Sequence, residues 1–160
     1  MIPTALGPVA LGWSASGFTG LRFVDAPLHE PVDAPGWVGK GIAAIQAHLA
    51  GEASDPARLP VDLRGLTPFQ RRVADVLRAS GPGQLLSYGE VALLLGKPGA
   101  ARAVGQAVKA NPLLLLVPCH RVVGARGPGG WSAFGSPGIK ARLLELERPD
   151  NGGDDAPAAR

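Results

Sequence analysis

Two capping boxes constrain the fold of the second half of this chain more than any other feature. TPFQ at 67–70 and SYGE at 87–90 each place a hydroxyl residue three positions before Gln or Glu, and TPFQ adds a proline at the first helical position. Such a box satisfies backbone N–H groups that the start of a helix leaves free. We therefore predict a helix after each box, the first ending near Ser80 to Gly83 and the second, shorter one stopping at Gly96.

A third helix is predicted after the turn KPGA, ending at Asn111, and its side chains are unusually small. Arg102 is the one long cationic side chain near its start. The small residues are Ala100, Ala101, Ala103, Gly105 and Ala107. Two short helices joined by a glycine-containing turn make a helix-turn-helix candidate, and an arginine on a smooth helix suits close approach to DNA. Tight helix packing in an ordinary core would use the same small residues.

The first part of the chain has a different pattern. GPVALGWSASGFTGLRFVD alternates apolar with small or polar residues, which predicts a hairpin centred on 14–17. VGKGIAAIQAHLAGE predicts a helix that ends before Gly51. The segment 53–65 contains two prolines and little periodicity, so we interpret it as a linker.

These patterns together predict an α+β fold in three parts. A small N-terminal domain of β-sheet and helix, with the linker at its end, occupies 1–63, a mostly helical domain with the helix-turn-helix occupies 64–148, and a disordered tail occupies 149–160. The net charges of these parts are −3, +8 and −2. The excess in the second part is typical of proteins that bind a polyanion such as nucleic acid, and an ordinary basic surface would have the same charge.

The residue inventory excludes several classes of protein. One cysteine cannot form an internal disulfide, and with only three histidines it cannot build a thiolate zinc site, so we expect no metal. The first residues lack the basic and apolar parts of a signal peptide, and no run of about 18 uncharged apolar residues occurs. We expect a cytoplasmic protein that does not enter a membrane.

The cysteine follows an apolar run, LLLLV, that is flanked by Pro112 and Pro118. We predict that this run is a short buried strand or extended segment that brings Cys119 from the core to its site. A lone buried cysteine is most often an inert small hydrophobic residue. The run by itself is consistent with that reading.

The neighbours of the cysteine in VPCHRVV point to chemistry. His120 and Arg121 are costly beside apolar residues unless each has a partner, and both favour a thiolate. His120 is the available base. Glu145 or Glu147, near the end of the last predicted helix, is the available orienting carboxylate, and the pattern does not choose between them.

A series of motifs occurs in order between residues 66 and 148: TPFQRRV, SYGEVA, ARAVGQA, NP, VPCHRVV, GGWSAFG and KARLLELE. In these motifs the chain resembles the O6-alkylguanine-DNA alkyltransferases, also called methylated-DNA–protein-cysteine methyltransferases. The resemblance covers the second part closely and the first part only in general character. It implies a protein that flips an O6-alkylated guanine out of duplex DNA and moves the alkyl group irreversibly to its own cysteine, without a cofactor.

The resemblance also implies catalytic roles. Cys119 would be the alkyl acceptor, and His120 would act through a water as the base that makes the thiolate. Glu147, which ends the LLxxE motif, would close this network. Tyr88 would assist rotation of the nucleotide and donate a proton toward the leaving guanine, and Asn111 would brace the turn beneath the site.

The implied partner is double-stranded DNA containing O6-alkylguanine, bound by a monomer. Arg102 would enter the base stack from the minor groove and occupy the space of the extruded nucleotide. Tyr88, Ala101, Ala103 and Arg121 are the other residues expected to contact DNA.

The lesion pocket is expected to contain Pro118, Val122, Trp131 and Ser132. Many family members have an aromatic residue seven positions before the lysine of the last helix. Here Trp131 stands nine positions before Lys140, which implies two extra residues in the lid after the site. Alternatively, Trp131 only packs the loop.

Two other functions fit parts of the pattern. A non-catalytic relative that binds alkyl lesions would lack the acceptor cysteine, so Cys119 in an intact PCHRV motif argues against it. A thiol hydrolase or peroxidase using Cys119 and His120 would not explain Arg102 or the basic second part. Turnover separates the possibilities, because an alkyltransferase stops after one equivalent.

Overall fold

The structure, a computed structural model, describes residues 1–25, 33–124 and 137–148. Helices and two small sheets make up its regular structure, which confirms the predicted α+β class. In chain order the elements are β1 (Val9–Ser14), β2 (Gly17–Phe23), α1 (Gly36–Leu49), α2 (Pro68–Ala79), β3 (Leu86–Ser87), α3 (Tyr88–Leu94), α4 (Ala101–Lys109), β4 (Val122–Val123) and α5 (Pro137–Leu146).

Strands β1 and β2 form the predicted antiparallel hairpin. Val9 pairs with Phe23 at the open end and Ser14 pairs with Gly17 at the turn, so the prediction of a hairpin centred on 14–17 is confirmed. The register shifts once along β1, as in a β-bulge.

The segment 53–65, interpreted above as a linker, packs against this hairpin. The backbone N–H of Phe18 donates to the carbonyl of Pro60 at 3.0 Å. Gly17 has φ +149°, and a Cβ there would lie 2.8 Å from backbone atoms of Val61. Only glycine fits this turn, because the segment lies directly against it.

Helix α1 is the helix predicted from the periodicity of the first part. It is followed by Gly51 at φ +85°, in the left-handed conformation that commonly follows a helix end. Ile45 and Leu49 are buried. At Gly41 a Cβ would lie 2.6 Å from the ring of Phe18, so α1 approaches the hairpin as closely as a glycine permits.

Both predicted capping boxes are formed. Thr67 Oγ1 accepts from the N–H of Gln70 at 3.3 Å, and Gln70 Oε1 accepts from the N–H of Thr67 at 2.8 Å. Ser87 and Glu90 exchange the same two bonds at 3.1 and 2.6 Å. The starts of α2 and α3 are therefore as predicted.

Helices α3 and α4 are joined by residues 95–100 and pack against each other and against α2. Gly96, at φ +68°, follows the end of α3. Two short helices and a turn are therefore present where the sequence predicts a helix-turn-helix. Its use in DNA binding stays a prediction.

The run LLLLV forms a buried turn, so the prediction of a strand or extended segment is wrong. Leu115 has φ 68°, and the N–H of Val117 donates to the carbonyl of Leu113 at 2.8 Å. The apolar character reflects burial, and the turn is held by the side chain of Asn111, which accepts from the N–H of Leu113 at 3.0 Å. A contact of this kind between side chain and backbone is invisible to periodicity.

The buried apolar side chains of the described residues form one cluster that draws on both halves of the chain. It includes Phe18, Ile45, Leu77, Leu113 and Leu143. No helix in the described part of the chain is long and apolar enough to cross a membrane. The predicted tail at 149–160 lies outside the described residues.

Candidate active site around Cys119

Cys119 begins a single turn of 3-10 helix between the leucine turn and β4. Its side chain is 0% exposed, and its Sγ accepts a hydrogen bond from Asn111 Nδ2 at 3.0 Å. Burial raises the pKa of the thiol to about 12, although the Asn111 bond and the charge of Lys140 act in the opposite direction. The resting side chain is a thiol, because the loss of hydration outweighs the groups that favour a thiolate.

Asn111 connects the cysteine to the end of α4. Besides its bond to Sγ, its Nδ2 donates to the carbonyl of Val117 at 3.0 Å, while its Oδ1 accepts from Leu113. One amide side chain therefore fixes both the leucine turn and the sulfur.

His120 is buried, and its Nε2 lies 2.9 Å from Oε1 of Glu147. Burial lowers the pKa of His120, and the bond to Glu147 offsets only part of this effect. The ring is therefore neutral, with its hydrogen on Nε2, facing the carboxylate. Nδ1 has no hydrogen-bond partner among the described protein atoms and keeps its lone pair, as a general base requires.

Glu147 is the carboxylate that orients His120. Burial alone would raise its pKa, but hydrogen bonds from His120, His48 and Arg121 outweigh that effect and hold the pKa far below its usual range. Glu145, the alternative from the sequence, instead pairs with Arg142 at 2.8 Å, where both side chains are more than half exposed. The alternative left open by the sequence is therefore resolved in favour of Glu147.

Arg121 does not face DNA, and the prediction that it contacts DNA is wrong. Its side chain is 1% exposed, and Nε and Nη2 donate to Glu147 at 2.9 and 2.8 Å. Nη1 donates to the carbonyl of Ser80 at 2.6 Å, and Nη2 also lies 3.3 Å from Asp55. A guanidinium that carries a charge beside apolar residues is stable only with partners of this kind, and they hold it inside the protein.

Tyr88 is the first residue of α3 and is partly buried. Burial raises its pKa, and a negative charge on Cys119 raises it further. Its ring packs beside Gly105 of α4. The phenol therefore keeps its proton and is able to donate it.

Lys140 is a functional candidate that the sequence reasoning missed. Its side chain is buried, and its Nζ donates to the carbonyl of Val122 at 2.7 Å. Burial lowers its pKa, whereas the nearby Cys119 raises it. The charge of Lys140 on α5 lowers the pKa of the thiol. The only sign of it in the sequence is a lysine on the last predicted helix.

Arg102 lies in the first turn of α4, exposed to solvent and apart from the buried network. It makes no hydrogen bond or ion pair with another residue in the described part of the chain. Ala103 beside it is exposed and Ala101 is partly buried. The helix start therefore presents one long cation on a surface of small side chains.

The expected lesion pocket is described only in part. Pro118 and Val122 are both buried beside the cysteine turn. Trp131 and Ser132, together with the predicted lid insertion, lie outside the described residues.

Residues 68–149 match the model of the 6-O-methylguanine DNA methyltransferase DNA-binding domain, which is more than half of the chain. The chain belongs to this methyltransferase family. A methylated-DNA–protein-cysteine methyltransferase from Mycobacterium tuberculosis is 40% identical over 92% of this chain and 90% of its own length. A relative of the same name from Mycobacterium leprae is 41% identical over 89% of this chain and 87% of its own.

Solved structures agree with this assignment. The crystal structure of Mycobacterium tuberculosis OGT in complex with DNA is similar with a TM-score of 0.77 and 40% identity, covering 91% of this chain and 89% of that one. An O6-methylguanine DNA methyltransferase from Methanococcus jannaschii has a TM-score of 0.65 at 25% identity, with 89% of each chain covered.

The methyltransferase fold gathers most, but not all, of the predicted site residues. Asn111 is bonded to Sγ of Cys119, the charge of Cys119 raises the pKa of Tyr88, and His120 is bonded to Glu147. Reasoning from the sequence missed His48, whose Nε2 lies 3.4 Å from Oε1 of Glu147. The available signal was a histidine on the apolar face of α1, a pattern that more often marks ordinary core packing.

Proposed function

We propose that this protein repairs O6-alkylguanine, chiefly O6-methylguanine, in double-stranded DNA by moving the alkyl group to Sγ of Cys119. The observation that carries the proposal is a buried thiol next to a neutral His120. Its Nε2 is held by Glu147, and its Nδ1 has no partner within the described residues. The relatives named for the same activity support it.

The reaction is a displacement at carbon. His120 takes the thiol proton through a water, Sγ of Cys119 attacks the alkyl carbon, a carbon–sulfur bond forms and the bond to O6 breaks. The electron pair of that bond stays on the guanine, and Tyr88 donates a proton toward it. The products are an unmodified guanine and an S-alkylcysteine, so each molecule reacts once.

The pKa of the thiol limits how the reaction proceeds. Burial raises the pKa of the Cys119 thiol to about 12, so nearly every molecule holds a neutral thiol at pH 7. A thiolate formed before substrate binding therefore does not account for the rate of alkyl transfer. The thiol of Cys119 has to lose its proton as the substrate binds. Positioning of the alkyl carbon against Sγ supplies most of the acceleration.

Access to a base inside a duplex requires flipping, which costs a few kcal/mol of stacking and pairing. Arg102 enters the gap from the minor groove, and Ala101 and Ala103 let the DNA backbone approach α4. Pro118 and Val122 form the apolar wall for the alkyl group. The protein acts as a monomer in the cytoplasm.

The test is intact-protein mass spectrometry after incubation with a duplex that carries one O6-methylguanine. We expect the mass to rise by one methyl group in place of a hydrogen, mapped to Cys119, with no further increase at excess substrate. Cys119→Ser is the control and gains nothing. Binding of the duplex without any mass change would contradict the proposal and favour a lesion-binding protein, and repair of many equivalents would favour a hydrolase.

A further inference from the structure

We propose that His48, on the N-terminal helix α1, is a positioning residue of the methyl-transfer site that holds the Glu147 carboxylate in its catalytic orientation. The inference rests on the proposed function, in which His120 takes the proton of Cys119. It assigns a role in the chemistry to a helix outside the motif-bearing half of the chain.

Three side chains converge on one oxygen of Glu147. Oε1 lies 2.9 Å from Nε2 of His120, 2.8 Å from Nη2 of Arg121 and 3.4 Å from Nε2 of His48. His48 is 5% exposed and the side chain of Glu147 is 1% exposed. The contact is therefore mostly shielded, and solvent weakens it little.

The second ring nitrogen of His48 fixes where its hydrogens lie. Nδ1 is 2.8 Å from the carbonyl oxygen of Ser54, and a carbonyl only accepts, so Nδ1 carries a hydrogen. In a neutral ring Nε2 would then present a lone pair to the carboxylate oxygen of Glu147, which is repulsive. Only the imidazolium form carries a hydrogen on both nitrogens, so the geometry fits a cation paired with Glu147 at 3.4 Å.

A cationic His48 acts on His120 through the shared oxygen. Burial is the main cause of the low pKa of His120, bonding to Glu147 opposes it, and the charges of Arg121 and His48 lower it further. His48 thus helps to keep His120 neutral, with Nδ1 free to take a proton. If the charge of His48 is removed, the pKa of His120 rises and less of the base is available at a given pH.

The charged groups that face His48 lie on several elements. The network itself contains His120 and Arg121, and Arg121 also contacts Asp55. An open groove borders His48 and Glu147, and its other charged lining residues are Glu52, Asp55, Arg58 and Arg148. His48 therefore stands between the buried network and a surface of mixed charge.

The first test is the single-turnover rate of methyl transfer from duplex DNA as a function of pH in His48→Phe. We expect its acid limb to move up by about half to one pH unit, a loss of about three- to tenfold on that limb, with convergence on wild type at high pH. Duplex affinity should be unchanged. Gln46→Ala, which removes a bond to the Pro3 carbonyl from the same helix, is the matched control and should behave as wild type.

Each outcome has a distinct meaning. A wild-type protein that transfers no methyl group would refute the proposed function itself. An active wild type with an identical profile in His48→Phe would overturn the positioning role, and so would an equal loss of rate at every pH, because that indicates only a damaged fold. Partial recovery in His48→Gln would show that a neutral donor replaces part of the contact and would support the role.

A second measurement does not depend on a variant that folds. In the wild-type protein, ¹⁵N chemical shifts of labelled histidine distinguish an imidazolium from either neutral tautomer. We expect the ring of His48 to carry both hydrogens while His120 stays neutral, under the conditions in which the protein transfers the methyl group. A neutral His48 ring under those conditions, with its hydrogen on Nδ1, would overturn the inference.

Discussion

Arg121 and Glu147 form a buried, bidentate ion pair, and this pair keeps a full negative charge beside His120. Without the guanidinium, the carboxylate would lie in apolar surroundings with histidines as its main partners and would tend to take up a proton. A protonated Glu147 would no longer fix the hydrogen of His120 on Nε2. We therefore expect Arg121 to act on the chemistry from inside the protein.

Arg121→Leu is expected to lower the free energy of unfolding by about 3–5 kcal/mol, because it leaves a buried carboxylate with too few partners. Urea denaturation measures this change. Arg142→Leu is the matched control, since it breaks an exposed pair with Glu145 and should cost less than about 1 kcal/mol. Equal small losses in both variants, with weaker duplex binding only in Arg121→Leu, would instead restore Arg121 to a DNA-contacting role.

For single residues, the sequence predicted the role correctly where the residue type itself limits the chemistry. It was misleading where burial determines which partners a side chain has. A single cysteine beside a histidine identified the candidate nucleophile and base. The resemblance implied that Arg121 contacts DNA, whereas its side chain is buried. The carboxylate, serine carbonyl and aspartate that bury it come from distant parts of the chain, and no local pattern reveals them.

At the scale of elements, α4 has two different ends. Its first turn carries Arg102 on a surface of small residues, and its last turn leads to Asn111, which holds Sγ of Cys119. A short, stiff helix therefore connects the residue expected to enter the DNA to the nucleophile. The effect of a substitution in α4 on duplex binding and alkyl transfer should therefore depend on which end of the helix it changes.

Arg102→Ala is expected to weaken duplex binding by less than about tenfold and to slow transfer from duplex by about 30- to 100-fold, because the flipped state loses a few kcal/mol of support. Lys109→Ala, at the other end of α4, removes an equal charge and should change both values little. Transfer from the free base O6-methylguanine should be unaffected in either variant. An Arg102→Ala protein that repairs duplex at the wild-type rate would eliminate the proposed role.

The elements themselves were largely predictable because their signals are local. Thr67 with Gln70 and Ser87 with Glu90 close their bonds within four residues, so the boxes predict helix starts directly. The leucine turn was not predictable, since a run of buried apolar residues has no periodicity that separates a strand from a turn. Its conformation depends on the side chain of Asn111.

At the scale of the whole molecule, the two halves share one apolar cluster and one polar network. Phe18 and Leu113 belong to the same core, and the network runs from His48 on α1 to Glu147 after α5. The active site is therefore assembled only when both halves are folded. Titration of a group in this site should therefore change the free energy of unfolding of the entire protein.

The buried thiol predicts a loss of stability in alkali. Its folded pKa of about 12 lies above the ordinary value of about 8.5, so its contribution is complete below about pH 8.5 and disappears as the pH rises toward 12. Between pH 8 and 10.5 the free energy of unfolding should fall by about 2.5 kcal/mol more in wild type than in Cys119→Ser. Equal pH slopes in urea denaturation of the two proteins would contradict a thiol that stays protonated inside the fold.

Burial of Cys119 also affects the protein during the time before it meets a lesion. A reagent that is consumed in one reaction is wasted by any side reaction, and the usual side reactions of cysteine in a cell, with peroxide or disulfides, proceed through an exposed thiolate. Cys119 is shielded from solvent and protonated, so it is inert toward both. Because the thiol of Cys119 reacts slowly in the absence of DNA, each molecule keeps its acceptor intact until it meets a lesion.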